Sequence, residues 1–372
     1  MKGTIRRHMK VVLALVLILG TAAAAAAEER IQLAILLDTS NSMDGLIAQA
    51  KSQLWKIVNE LARAKRNGKT PTLEVALFEY GNDGLSADDG YIRMVSGLTT
   101  DLDRISDELF KLTTNGGSEY CGMVIDQAAK KLAWSPAKDV LKVMYVAGNE
   151  PFTQGPVDYR QSDSRAARKG IIVNTVFCGP YNEGVETAWK DGADRADGKY
   201  MSIDQDEAVA EIATPYDKEI VDLGNALNKT YVGYGRKGAE LKSRQEAQDS
   251  NAVSAGPGAI VQRSVAKAQA AYTNEGWDLV DAVSGGVVDL KTIKEDELPA
   301  EMKKMTAAGR EKYVKDLTAK RAELQGKITI ANEKRRALVA EEMKKRAQQN
   351  TLDEAVLGSV REEAGKKGFD LR

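Results

Sequence analysis

The sequence predicts an α/β fold: a doubly wound, mostly parallel sheet with helices on both faces, followed by an α-helical C-terminal region. Three observations carry this. Short apolar runs alternate with amphipathic segments from Ile31 to about Asp204. The first run, IQLAILLD, breaks off into Asp38-Thr39-Ser40-Asn41-Ser42, as a buried strand does where it leaves the carboxyl edge of a sheet. After about Thr214 the alternation stops and no further strand pattern follows.

The elements follow in order. IQLAILLD (31–38) is a buried strand, and the next segment places Leu46, Ile47, Leu54, Ile57, Val58 and Leu61 on one helical face. TLEVALFEYG (72–81) and YIRMVSGL (91–98) flank a polar turn and predict a hairpin. DLDRISDELFKL is a short helix with an acidic N-terminus. The loop TTNGGSEYCG leads into a helix ending near Trp134. DVLKVMYVAG (139–148) is the next strand, RQSDSRAARKG a helix stopped by Gly170, and IIVNTVFCG (171–179) another buried strand. VETAWKDGADRADG reads as one helix and KYMSID (199–204) as a short last strand. Residues 28–213 therefore form the α/β domain, 214–260 a linker with some helix, and 261–372 an α-helical region. Within the last, Leu317, Leu324, Ala331 and Leu338 recur every seven residues, with Val314, Arg321, Ile328 and Arg335 at the companion position. This half-apolar seam fits either a short coiled coil, with self-association through these helices, or one solvated helix packed through a single stripe.

Composition bounds the function. The chain has 372 residues, 43% of them hydrophobic, enough for a sizeable core. A net charge of −1 gives no field that would steer a nucleic acid, so none is expected as a partner. MKGTIRRHMK, the apolar VVLALVLILG and the small residues of TAAAAAA have the layout of an export signal over 1–27, with cleavage expected after Ala27. The alternative is an uncleaved anchor, which alone would tie the protein to a membrane. Export places the chain in the periplasm or outside the cell. Removal of His8 with the signal leaves no histidine, which excludes Ser-His-Asp and Cys-His catalysis and His-ligated zinc. No carboxylate pair stands out in a cleft pattern, so the chain is not read as an enzyme.

Asp38, Ser40 and Ser42 alternate along the loop after the first strand. Alternate residues of an extended turn project into one space, and a carboxylate with two hydroxyls suits a hard divalent cation, Mg²⁺ first, with Mn²⁺ or Ca²⁺ as substitutes. The other role for Asp38 is to cap the first helix through nearby backbone N–H groups. Strand-DTSNSM-helix resembles the D-x-S-x-S motif that opens the metal-ion-dependent adhesion site of von Willebrand factor type A domains, and the likeness covers about residues 30–213. The resemblance implies a metal with an open coordination position, filled by an acidic residue of a partner protein. It also implies a hydroxyl from the next loop, where Ser118 is the position-matched residue with Thr113, Thr114 and Glu119 beside it. The family's usual Asp after the fourth strand is replaced by Gly148, followed by Asn149 and Glu150, so Glu150 is the remaining candidate ligand there.

Cys121 opens a helix and Cys178 ends a strand, both expected at the carboxyl edge of the sheet. In an oxidising compartment they read as a disulfide, and otherwise as two buried thiols. Gly233-Tyr-Gly235-Arg-Lys-Gly238 matches G-x-G-x-x-G only formally, because no strand follows it. The competing function is a metal-free scaffold of the cell envelope acting through its helical C-terminal region.

Overall fold

In a computed structural model, residues 29–206, 211–345 and 352–371 are described. The segment 1–27, expected as an export signal, lies outside them. Among the described residues no helix is long and apolar enough to cross a membrane.

The first part of the chain runs β1 (Arg30–Asp38), α1 (Asp44–Ala62), β2 (Thr72–Tyr80), β3 (Ile92–Thr99), α2 (Leu102–Lys111), α3 (Cys121–Lys131), β4 (Leu141–Gly148), α4 (Tyr159–Arg168), β5 (Ile172–Cys178), α5 (Tyr181–Glu186), α6 (Trp189–Arg195) and β6 (Tyr200–Ile203). The strands form one sheet in the order β3-β2-β1-β4-β5-β6. β3 pairs antiparallel to β2 as the expected hairpin, and every other pairing is parallel. Strand order reverses between β1 and β4, so the loops that follow these two strands open the crevice where such sheets bind ligands.

Both faces of the sheet are covered, which is why the strands read as apolar runs rather than alternating ones. Leu33, Leu37, Val75, Leu77, Val143 and Tyr145 pack towards α1 and α2. Ala34, Leu36, Phe78, Met144 and Val146 pack towards α3, α4 and α6. Short polar caps start the helices: Asp101 accepts a hydrogen bond from Arg104 N (2.9 Å) at α2, and Asp158 one from Arg160 N (3.0 Å) at α4. The segment expected as one helix over 185–198 is two, α5 and α6, because Ala188 adopts a left-handed conformation (φ 71°) between them.

The C-terminal half departs further from expectation. It comprises α7 (Asp217–Asn228), α8 (Gly238–Ser254), α9 (Pro257–Lys267), α10 (Leu279–Ser284), α11 (Ala300–Lys303), the 37-residue α12 (Ala307–Met343) and α13 (Leu352–Lys366). The stretch 214–260 is packed helix rather than linker: α8 docks against α2, and α9, which begins at Pro257, docks against α1. Nor is the last helix part of a separate region, since α13 returns to the sheet and packs beside α1 on β4, β5 and β6. There Tyr145 Oη and Ser359 Oγ lie 2.7 Å apart, and Val356, Leu357 and Val360 are buried. At about 1.5–3 kcal/mol for each such side chain, this burial is ample to hold a 15-residue helix in place. α12 buries Val314, Arg321, Leu324, Ile328, Ala331, Asn332 and Arg335, and it contacts α7, α9 and α10. Six of the eight heptad residues thus face the body of the protein, Leu317 is half-buried and Leu338 exposed, and α12 packs on the body through a single stripe.

Two buried arginines fix these helices. Arg263 of α9 is fully buried and bonds Asp103 of α2 (2.6 Å) and Asp249 of α8 (2.8 Å), with its guanidinium 4.4 Å from the Trp55 ring of α1. Tyr272 donates to the other Asp103 oxygen (2.6 Å), and Lys267 closes on Asp249 (2.6 Å). Arg321 of α12 bonds Asp278 (2.6 Å) and lies 4.1 Å from the Tyr231 ring. Such pairs are costly to form but costlier to half-remove, because the partner is then left charged and dry. Arg263→Met should therefore lower unfolding free energy by about 3–5 kcal/mol in urea denaturation. A loss below about 1 kcal/mol, the size of an exposed pair, would show that Arg263 does not join α8 and α9 to the sheet domain.

Candidate functional site

The carboxyl edge at the β1/β4 reversal gathers three loops. The first is 38–43, which continues β1 and passes into α1. Thr39 N bonds Tyr80 O (2.8 Å), extending the strand ladder by one residue. The second loop, 113–120, is stitched onto the first by backbone bonds from Asn41 N to Gly116 O and from Asn115 N to Thr39 O, both 3.0 Å. The third, 149–158, is pinned from behind: Trp189 Nε1 donates to Glu150 O (2.8 Å), and Phe152 packs against both Trp189 and Tyr159.

Asp38 sits at the centre and is fully buried. Its Oδ1 accepts a bond from Ser40 N (2.8 Å), while its Oδ2 has no hydrogen-bond partner. Burial pushes its carboxyl up to about 7, with the negative charges of Glu119 and Glu150 adding to the rise and Ser40 opposing it. Ser40 Oγ and Ser42 Oγ are 3.2 Å apart, and Ser42 Oγ donates to Asn149 Oδ1 at 3.4 Å. The two expected hydroxyls therefore converge beside the carboxylate.

From the second loop the structure brings in Glu119 rather than Ser118. Glu119 is buried, and its backbone N–H is fixed by Gln154 Oε1 (2.6 Å). Its carboxyl stands above the usual range, first through burial and then through Glu150, while the Ser40 hydroxyl draws it back. Ser118 is half-buried and makes no side-chain contact of this kind. Thr114 turns outward to bond Asp44. Glu150 lies half-buried at the rim, close enough for its charge to act on both Asp38 and Glu119. The residue missed as a leading candidate is thus Glu119. The signal in the sequence was Gly116-Gly117 just before it: a Cβ on Gly117 would collide with the Glu119 carboxylate and Gly81 O.

Gly148 has a definite reason. A Cβ there would lie 2.6 Å from Tyr80 Oη and 2.9 Å from Asp38 Oδ2. The Tyr80 hydroxyl, fully buried and donating to Ala147 O (2.9 Å), fills the space a side chain at 148 would need. Among the described residues no three acidic, His or Cys side chains are grouped as a cation cage. What the edge offers instead is a mixed oxygen set of Ser40, Ser42 and Glu119 close to the Asp38 carboxylate. This set, and that unpartnered buried oxygen, fit a hard cation with water completing its shell.

The expected disulfide is not formed. Cys121 and Cys178 are free, buried thiols. Cys121 belongs to the apolar cluster on the α3 side of the sheet and Cys178 to that on the α1 side, so the sheet edge stands between them. Burial raises both thiols well above their usual range, which keeps them inert. The glycine motif at 233–238 is a tight turn before α8, where Gly233 and Gly238 approach too closely for a Cβ.

Six strands in this order, one antiparallel edge, helices on both faces and a D-x-S-x-S loop at the reversal decide the architecture. The fold is a von Willebrand factor type A-like fold with a helical C-terminal region. Neither a protein-family model nor a curated protein matches the chain. Solved structures do. BatB from Bacteroides thetaiotaomicron is 18% identical, with 47% of this chain and 90% of that one covered, at a TM-score of 0.36. The SpRpn10 VWA domain is 15% identical, covering 47% and 87%, at 0.36. A von Willebrand factor type A structure from Catenulispora acidiphila is 17% identical, covering 47% and 39%, at 0.36.

Gly148→Ala should destabilise this type A-like domain by about 1–3 kcal/mol through overpacking against Tyr80. Tyr80→Phe in the same background should recover part of the loss, giving a coupling above about 0.5 kcal/mol in a double-mutant cycle read by denaturation. Strict additivity would contradict the contact.

Proposed function

We propose that this chain is an exported, non-catalytic binding module that takes hold of a protein partner through a divalent cation at the DTSNS loop. The observation that carries the reading is Asp38 Oδ2, a buried carboxylate oxygen with no partner, on a residue whose neighbours include the paired Ser40 and Ser42 hydroxyls and the Glu119 carboxylate. Leaving such an oxygen dry and unpaired costs roughly 1–3 kcal/mol, and a nearby positive charge offsets that cost. Ser40, Ser42 and Glu119 would hold the cation, Mg²⁺ or in its place Mn²⁺ or Ca²⁺. Asp38 would orient the shell from behind, and Glu150 would stand at the rim with Ser118 beyond it. A bound cation would supply an open coordination position for a carboxylate of the partner. The rim formed by the exposed Asn115 and the half-buried Asn149 and Glu150 would then meet the rest of that partner. Export rests on the basic, apolar and small-residue layout of 1–27. The competing scaffold reading draws on one observation, the glycine at 148 where the resemblance expects an acid.

Calorimetric titration of the purified protein with Mg²⁺ and Mn²⁺ tests this. Binding should disappear in Asp38→Ala and weaken about tenfold or more in Glu119→Gln, with melting temperatures that show both variants folded. Because Asp38 retains its proton below about 7 and only the carboxylate serves a cation, affinity should fall as pH drops through 7 and level off above it. Absence of binding at pH 8, or equal binding in Asp38→Ala, would overturn the reading in favour of the scaffold.

A further inference from the structure

At the opposite, amino-terminal edge of the sheet lies a second cleft, of about 610 Å³, between the end of α3, the start of β4, the end of α4 and the residues after α13. Its walls carry Lys138, Lys142, Arg168, Lys169 and Lys367, and none of its lining residues is Asp or Glu. Trp134 forms part of the wall, half-buried and fixed by Nε1 donating to Ala128 O (3.0 Å).

Among the described residues these cations have no carboxylate partner within salt-bridge distance. Lys142 is 3% exposed, and its Nζ donates to Ser135 O (2.9 Å) and Lys169 O (2.7 Å). Lys169 Nζ donates to Ala129 O (2.6 Å) and Lys367 Nζ to Lys138 O (2.9 Å). An ammonium has three donors, so each retains capacity for another acceptor. Of the nearby acids, Asp139 faces Arg66 at 3.7 Å, and Glu363 and Asp197 line an adjoining cavity of about 360 Å³ that shares Lys367 with this cleft. Burial lowers Lys142 below the usual lysine range, and the like charges of Lys367 and Lys169 lower it further.

A purely structural role for these residues is to neutralise helix C-termini. The ends of α3, α4 and α13 point here, and each carries about half a negative charge. Together they supply about one and a half, against five positive side chains in a wall that holds no acid. A concave site of this size, with an aromatic wall and unspent donors, is shaped for an anionic organic molecule.

We propose that this cleft binds a phosphate-bearing ligand, with Lys142, Lys169 and Lys367 at the base, Lys138 and Arg168 closing from the rim, and Trp134 covering its organic part. The phosphate belongs either to a free small molecule or to a phospholipid headgroup, since the same donors serve both. The site is separate from the DTSNS edge, so neither proposal depends on the other.

The test uses the purified protein with glycerol 3-phosphate, with glycerol as control, in calorimetric titration. A parallel sedimentation assay uses vesicles of phosphatidylcholine alone or mixed in equal parts with phosphatidylglycerol. Lys138 and Arg168 are exposed, so the Lys138→Glu/Arg168→Glu pair should leave the melting temperature unchanged while weakening binding about tenfold or more. Binding of glycerol 3-phosphate that is lost in the pair supports the site with a soluble ligand. Binding only to the phosphatidylglycerol vesicles, lost in the pair, supports it with a headgroup. Absence of binding to both, or binding equal in the pair, overturns the proposal.

Discussion

Asp38 is buried without access to water, and three loops have given up side chains to surround it. A Cβ at Gly81 would lie 2.7 Å from its Oδ1, one at Gly148 would lie 2.9 Å from its Oδ2, and one at Gly117 would lie 2.7 Å from Ser40 Cβ. Gly81 and Gly117 also adopt positive φ, which a side chain would resist. The carboxylate thus dictates the composition of the sheet edge around it. In return its one backbone bond, to Ser40 N, sets the turn that brings Ser40 and Ser42 together. Desolvating an acid this completely is unfavourable, and the fold tolerates it where strands β1 and β4 diverge.

The rest of the molecule makes that edge rigid. The loop carrying Glu150 is held by Trp189, and the start of α1 is held by Gln205, which donates to Ser42 O (2.8 Å). Behind the sheet, Arg263 joins α1, α2, α8 and α9 through one side chain, and α13 closes the remaining face. The helical C-terminal half is therefore a buttress of the α/β domain, and the two edges of the sheet remain open. One of them is acidic, with orphaned oxygen. The other is basic, with donors to spare.

The strands were legible because burial on both faces makes each an unbroken apolar run, and their observed bounds fall within two residues of the expected ones. The DTSNS loop was legible because polar residues at alternate positions after such a run have few other uses. Other features depend on tertiary context that local sequence does not carry. Ala188 breaks a helix without glycine or proline to announce it. Asp103, Asp249, Arg263 and Lys267 look like solvated charges until they meet in one buried cluster. The apolar face of α13 says that it must pack, not that its surface is a sheet whose contact residue Tyr145 lies 214 residues before Ser359. Glu119 was overshadowed by Ser118 because a hydroxyl was expected at that loop, and the cysteines fall on different faces because β5 directs Cys178 towards α1.

The most direct test of the account is the anomalous scattering of Mn²⁺ in crystals of the protein grown above pH 7. The account predicts a manganese peak bounded by Ser40, Ser42 and Glu119, in front of the free oxygen of Asp38. A map with no peak at this edge, or with manganese elsewhere and the Asp38 carboxylate still unpartnered, would contradict it.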